Sequence, residues 1–396
     1  MITNASAPLA AVLTVSMAVI AAAGCRRGEA NGPAGPQGPT TAVATPAGEG
    51  SAGAAGSADA YDGGVREAGA RGSGGGSHDA AGASDGASPG AGATWSASKS
   101  GTTSGLSGVW GSGPSDVWAV GDKGTVLHWN GAAWSRSSSG TNVALHGVWG
   151  SGPSDVWAVG DKGTVLHWNG TAWSASTGGT SVVLNGVWGS RSSDVWAVGG
   201  EGKATTITHW NGRAWSVAST GLTYVPPPPG AGHMGETSMQ LLGVWGSGPN
   251  DVWVVAQGSQ MQAGPVIVSA MVHWNGRAWA SPDDGGGVVH RVWGSGPNDV
   301  WAVGTDRMHW DGQKWSQHWE GPGSGNDRVG GVWGSGPNDV WVVAGRWGDD
   351  GGWILHWNGG TWSEQSSGSK PLSGIWGSSP GDVWAVGAAG TILHHP

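Results

Sequence analysis

From Leu106 to His394 the chain repeats one alternation of apolar and polar residues: GVWGSGPxDVWAVG, a variable stretch, then TVLHWNGxxW. Each apolar run is only roughly four to eight residues long and is bounded by Gly, Pro, Asn, Asp or Ser, which is the signature of strands separated by tight turns rather than of helices. Every unit predicts four strands, GVWGS, DVWAVG, TVLHWN and AWSxx. Seven times between Trp110 and Trp384 a Trp is followed by an Asp six residues later and a second Trp eight residues later.

The first-strand tryptophans, Trp110, Trp149, Trp188, Trp245, Trp293, Trp333 and Trp376, recur about every 40 residues, the period of propeller blades. Six units end in H-W-N/D-G-x-x-W, whose last Trp opens the fourth strand: Trp134, Trp173, Trp215, Trp279, Trp315 and Trp362. The seventh stops at His394-His395-Pro396 and lacks that strand. Ala93-Thr94-Trp95-Ser96 supplies it from the other end, with Trp95 preceding Trp110 by the same 15 residues that separate Trp134 from Trp149. The expectation is an all-β, seven-bladed β-propeller of four-stranded antiparallel blades over residues 93–396, closed by the strand around Trp95. Closure removes two sheet edges that would otherwise pair with other chains.

Composition strengthens this picture. The chain has 30 Trp, two Tyr and no Phe, and 27 of those Trp fall on the four repeated positions. A residue placed identically in every blade is expected to be core rather than a sugar-stacking surface. Burying rings of about 150–250 Å² at about 25 cal/mol per Å² gives a gross 4–6 kcal/mol each.

Ahead of the repeats lies an apolar run, Leu9 to Ala23, ending in Ala22-Ala23-Gly24-Cys25, and Cys25 is the single cysteine of the chain. The run is short of the roughly 20 apolar residues of a spanning helix. It resembles a bacterial lipobox, which implies that residues 1–25 are a lipoprotein signal with Cys25 lipidated, that the protein sits at the cell envelope, and, with Arg26 following, that it is sorted to the outer membrane or cell surface. Residues 26–92 are Gly, Ala, Ser and Pro with almost nothing apolar to bury, so a disordered tether is expected, about 45 Å long on average. The net charge of −9 excludes a nucleic-acid partner, which needs clustered Lys and Arg.

The GVWG/DVWAVG/HWNG/W units resemble those of bacterial surface lipoproteins with β-propeller repeats, which are similar to Asp-box (sialidase-type) and Kelch-like propellers. The resemblance covers residues 95–396. The Asp-box pattern S-x-D-x-G-x-x-W is not met by Ser115-Asp116-Val117-Trp118, so sialidase chemistry is not implied.

Candidate chemistry divides into repeated and single-copy residues. Asp116, Asp155, Asp194, Asp251, Asp299, Asp339 and Asp382 open the second strands and are expected to fix the hairpin by accepting backbone N–H bonds. The third-strand histidines, His128 to His394, are expected to be neutral, buried and hydrogen-bonded between blades, and too widely spaced to ligate a metal. No metal or cofactor is expected. Function should lie where the repeats disagree. The second-to-third-strand stretch (insertions at Gln257 to Ala270 and Gly345 to Gly352) and the blade-to-blade connection after Trp215 vary, and both emerge on one end of an up-and-down blade. That face offers Tyr224, His233, Glu236, Gln260, Arg307, Trp319, Glu320, Arg328, Trp347, Asp349 and Asp350, with Trp319 and Trp353 also able to continue strands. Aromatic rings beside acids and amides suit a protein or polysaccharide partner. The leading expectation is a monomeric, lipid-anchored, non-catalytic binding module. The alternatives are a glycan hydrolase or lyase using acids such as Glu236, Glu320 and Asp349, and a structural or sensory surface protein without a small ligand.

Overall fold

The computed structural model describes residues 94–202, 205–218, 235–262, 264–281, 287–318, 328–346, 351–365 and 368–396, without the side chains of 201–202, 235–238 and 259–270. All lie in the compact unit Pro89–Pro396. The expected signal and tether, residues 1–25 and 26–92, fall outside the described residues.

Among the described residues, seven antiparallel sheets form the propeller. Blade 1 runs through Leu106–Gly113, Asp116–Gly121, Thr125–Trp129 and Trp134–Ser137, and blades 2 to 6 follow in chain order. Blade 7 takes three strands from Leu372–Ser379, Asp382–Gly387 and Ile392–His395. Its fourth is Ser96–Ala97 from the start of the propeller, with Ser96 opposite His394 and Ala97 opposite Leu393. The closure read from Trp95 is therefore present.

The continuous apolar character of DVWAVG has a direct cause: both faces of each sheet are buried. Val117 and Ala119, with Leu127 and Trp134, face Trp384, Val386 and Ile392 of blade 7. The alternate residues Trp118, Val120 and Val126 face Leu145, Val148, Val156 and Trp173 of blade 2. Period-2 alternation thus sends successive side chains into the two neighbouring seams, and a one-residue slip would exchange the seams.

The same two register shifts occur in every first strand, for example between Leu106 and Gly108 and between Gly111 and Gly113, and blade 4 adds a third between Gly235 and Ser238. Such bulges bend and twist the strand. First strands touch first strands all the way round the ring, so they are the inner layer. There a tryptophan of each blade lies on a glycine of the next: a Cβ at Gly150 would stand 2.5 Å from the Trp110 ring, and one at Gly111 would stand 2.6 Å from the Trp376 ring. Gly189, Gly246, Gly294, Gly334 and Gly377 meet Trp149, Trp188, Trp245, Trp293 and Trp333 in the same way.

Farther out, each second-strand Trp receives the fourth-strand Trp of the next blade edge-on, as in Trp118–Trp173 at 5.3 Å and 84°, and Trp384–Trp134 at 5.4 Å and 81°. This is the favoured geometry for two quadrupolar rings. In the seam between blades 6 and 7, Trp95 meets Trp341 at 5.6 Å, and His395 takes the place of a third-strand Trp, 5.1 Å from Trp341.

Candidate functional site

The two ends of the ring differ. At the end carrying the first-to-second and third-to-fourth turns, all seven blades build the same network. The Ser four residues before each repeated Asp donates its hydroxyl to Asp Oδ2 at 2.5 Å (Ser112, Ser151, Ser190, Ser247, Ser295, Ser335, Ser378). The third-strand His donates Nε2–H to Oδ1 at 2.5–2.7 Å, from His128–Asp116 through His394–Asp382. Each imidazole lies against the second-strand indole, with centroids 4.2 Å apart for Trp118–His128 and 4.0 Å for Trp384–His394. In blades 6 and 7 the indole N–H of Trp341 and Trp384 also reaches the Asp.

This geometry changes two expectations. The histidines bond within their own blade rather than between blades, because the register sets Trp118 opposite His128 and brings the imidazole over the second strand. They are also only half-buried: the His128 side chain keeps 30% of its surface. The aspartates hold the hairpin mainly through side-chain partners. The Ser was legible in every GVWGS copy and was missed because Ser in a turn is common.

Although the network contains Ser, His and Asp, it is wired unlike a hydrolytic triad. There the His stands between nucleophile and carboxylate. Here the carboxylate stands between Ser and His, so the imidazole has no hold on the hydroxyl proton. Burial works to raise the carboxyl of Asp155, but the hydrogen bonds from His167 and Ser151 outweigh it and hold the group below its ordinary value. The same balance holds for Asp194, Asp251, Asp299 and Asp339. A carboxylate bonded by the same Ser and His in seven equivalent places is placed as a structural hub.

The opposite end breaks symmetry. In blade 4 the insertion at Gln257 to Ala270 is not a loop but an extension of the hairpin: the first three strands are Gly235–Gly248, Asp251–Gln262 and Gly264–Trp274, of 14, 12 and 11 residues, against 8, 6 and 5 in blade 1. The surplus of about six residues projects the sheet about 20 Å farther. Blade 3 adds a fifth strand to it, Glu201–Gly202, pairing with Gln240 and Met239. Glu236 and Gln260 lie on this projection by backbone position; their side chains are outside the described residues, as are Tyr224, His233, Trp319, Glu320, Trp347, Asp349 and Asp350.

Arg307 is described and is buried. Its Nε donates to the His318 carbonyl and its guanidinium lies 5.7 Å from the Trp362 ring, so it joins blades 5 and 6. Arg328 is exposed at the start of a first strand, opposite Gly345. Trp353 is 5% exposed and belongs to the seam between blades 5 and 6. Arg346 pairs with Glu364 at 2.8 Å on the surface.

At this same end the first strands begin, and sequence reasoning passed over their single-copy residues. His146 donates to Asp161 at 2.8 Å, Asn185 donates to the Leu241 carbonyl of the next blade at 2.7 Å, and His290-Arg291 stands where the other blades read Ser-Gly, His-Gly, Asn-Gly, Leu-Gly or Gly-Gly. The available signal was that departure from the repeat. Among the described residues no group of three or more His, Cys, Asp or Glu converges on a metal position.

The fold and this division of its ends define a seven-bladed β-propeller with one uniform and one individual face. Solved structures share the architecture: YCF48 bound to D1 peptide (TM-score 0.52, 17% identity, covering 76% of this chain and 96% of that one), YCF48 from Cyanidioschyzon merolae (0.54, 15%, 76% and 99%), and the WD40 beta propeller domain of Doa1 (0.58, 12%, 76% and 95%). At such identities the likeness establishes the fold. No family model matches the chain, and no curated protein matches it.

Proposed function

We propose that the chain is a lipid-anchored cell-envelope protein whose propeller is a non-catalytic module binding a protein, or a polysaccharide, through its variable face. The observation that carries this reading is the contrast between ends: seven identical Ser-Asp-His-Trp networks on one, and on the other the blade 4 projection with its added strand. Propellers host many activities, so the argument rests on this site. It is consistent that a propeller of the same architecture, YCF48, is known bound to a peptide. Anchoring rests on the lipobox-like segment ending at Cys25, and a polysaccharide ligand rests on the aromatic and acidic composition of the face.

The test compares the full chain with a version whose blade 4 hairpin tip, residues 258–268, is replaced by the short second-to-third turn of blade 1. Envelope polysaccharides on an array and cross-linking to envelope proteins report binding. Loss of binding with an unchanged melting curve supports the reading. Binding indifferent to the trim, or turnover of a bound glycan abolished by Glu236→Gln, overturns it. Radiolabelled palmitate incorporated by the wild type and not by Cys25→Ser supports the anchor.

A further inference from the structure

In six blades one bulge position of the inner strand is glycine: Gly108, Gly147, Gly186, Gly243, Gly331 and Gly374. The reason is contact with the next blade. A Cβ there would stand 3.1 Å from the His146 carbonyl at Gly108 and 3.0 Å from the Ile375 amide at Gly331. Blade 5 carries Arg291 instead. The neighbour it leans on, blade 6, has glycine at both bulge positions, Gly330 and Gly331.

Arg291 is held but not neutralised. Nε donates to the Gly330 carbonyl at 2.7 Å and a terminal N–H to the His290 carbonyl at 3.0 Å. Both acceptors are uncharged, and among the described residues no carboxylate pairs with it. Of its five N–H donors, three remain. Protein encloses it enough that burial pushes the group down to about 10, yet the residue keeps a solvent-touching edge. Beside it His290 has a buried Nε2 without a hydrogen-bond partner and is pushed down to about 4 by burial and then by the Arg291 charge. The equivalent positions around the ring hold Ser107, His146, Asn185, Leu242, Gly330 and Ser373, none acidic; among the described carboxylates at this end, Asp122 stands beside Gly105 in blade 1, Asp161 is taken by His146, and blade 5's own Asp306 accepts from the Val288 amide and Gln317.

We propose that Arg291, with His290 at its side, is a carboxylate-binding site at the variable-face end of the inner ring, and that the variable face seats a polypeptide partner by a carboxylate placed there. This rests on the reading of that face as a protein-binding surface. An enclosed cation bonded only to carbonyls has lost hydration without gaining a counter-charge. An incoming carboxylate supplies that charge and accepts the remaining donors, and Arg matches a carboxylate bidentately. A chain terminus and an acidic side chain share this chemistry, so the experiment separates them.

The full chain, isotope-labelled at Arg and His, is titrated by NMR with acetate, with tetra-alanine bearing a free carboxyl terminus, with its C-terminal amide, and with N-acetylated, C-amidated tetra-glutamate. The expected result is a saturable shift of the Arg291 Nε and His290 ring signals with acetate and with at least one carboxylate peptide, and none with the tetra-alanine amide. A response to tetra-alanine alone assigns a chain terminus, and one to tetra-glutamate an acidic side chain. Arg291→Gly, which restores the residue six blades already use, weakens binding at least about tenfold, while Arg291→Lys keeps part of it. A wild type without a saturable shift, or a shift that survives in Arg291→Gly, overturns the proposal. If envelope-partner binding is lost on trimming the blade 4 hairpin but untouched in Arg291→Gly, the site falls and the binding face stands.

Discussion

At the scale of single residues, the repeated aspartate is the acceptor on which two donors depend. Removing it in one blade, Asp251→Ala, frees the exposed Ser247 hydroxyl to water and strands the half-buried His273 imidazole, and a donor left without an acceptor costs up to about 1–3 kcal/mol. Urea unfolding reads this as a lower midpoint with an unchanged slope; an unchanged midpoint refutes the hub role. The same residues set two pH windows of opposite origin. For Asp155, Asp194, Asp251, Asp299 and Asp339 the folded pKa lies below the unfolded one. Their contribution is therefore complete above the ordinary carboxylate value and is lost as pH falls through the lower folded values, in the acid limb. His290 acts earlier. Its pKa is about 4 when folded against 6.5 ordinarily, so between those values the unfolded chain binds the proton more readily and stability falls as pH drops. At about 1.4 kcal/mol per unit the ceiling is about 3 kcal/mol. His290→Ser, the residue at this place in blades 1 and 7, is expected to flatten melting temperature against pH between about 4 and 6.5; a slope equal to the wild type's contradicts the assignment.

At the scale of strands and blades, what the sequence made legible is what alternation and period encode. Trp118 and Val117 had to face opposite seams, and Trp95 had to belong to the blade that ends at His395, because spacing alone says so. What stayed hidden depends on register. That His128 meets its own blade's Asp116 follows from pairing Trp118 with His128, which no residue spacing states. The bulges that bring Gly111 under Trp376 arise from two-against-one pairing, again invisible in composition. The blade 4 insertion shows in the sequence only as extra length between the second and third strands, whereas pairing of Gln257 with Ser269 through Gln262 with Gly264 carries it as strand. The inner contact yields its own prediction. In Gly189→Ala the new methyl would stand 2.6 Å from the Trp149 ring and 2.7 Å from the Asp194 carbonyl, two neighbours that cannot both yield. Overpacking of this kind costs about 1–3 kcal/mol. Gly152→Ala, with nothing within 4 Å, is the control, and equal melting temperatures for the two variants refute a tight inner ring.

At the scale of the whole molecule, stability depends on the ring being closed, because each blade buries both faces only against neighbours. Blade 7 would otherwise present the Ile392–His395 strand as an open edge beside a half-covered seam; Ser96–Ala97 covers the edge and Trp95 the seam, against Trp341 and His395. These two functions can be separated. Trp95→Ala keeps the backbone pairing and removes a partly buried ring, for which the loss of about 3–5 kcal/mol of a fully buried one is the ceiling, or at most roughly 5–10 °C in a domain of this size. The chain should keep the association state of the wild type. Deleting residues 93–97 removes the pairing as well, and an uncovered strand recruits another chain, so the deletion should melt lower still and associate with concentration. Calorimetry and light scattering on the same samples check both. The ordering is the decisive part: a deletion that melts no lower than Trp95→Ala and associates no more than the wild type would mean that the indole alone closes the ring and that the strand's hydrogen bonds contribute nothing to it.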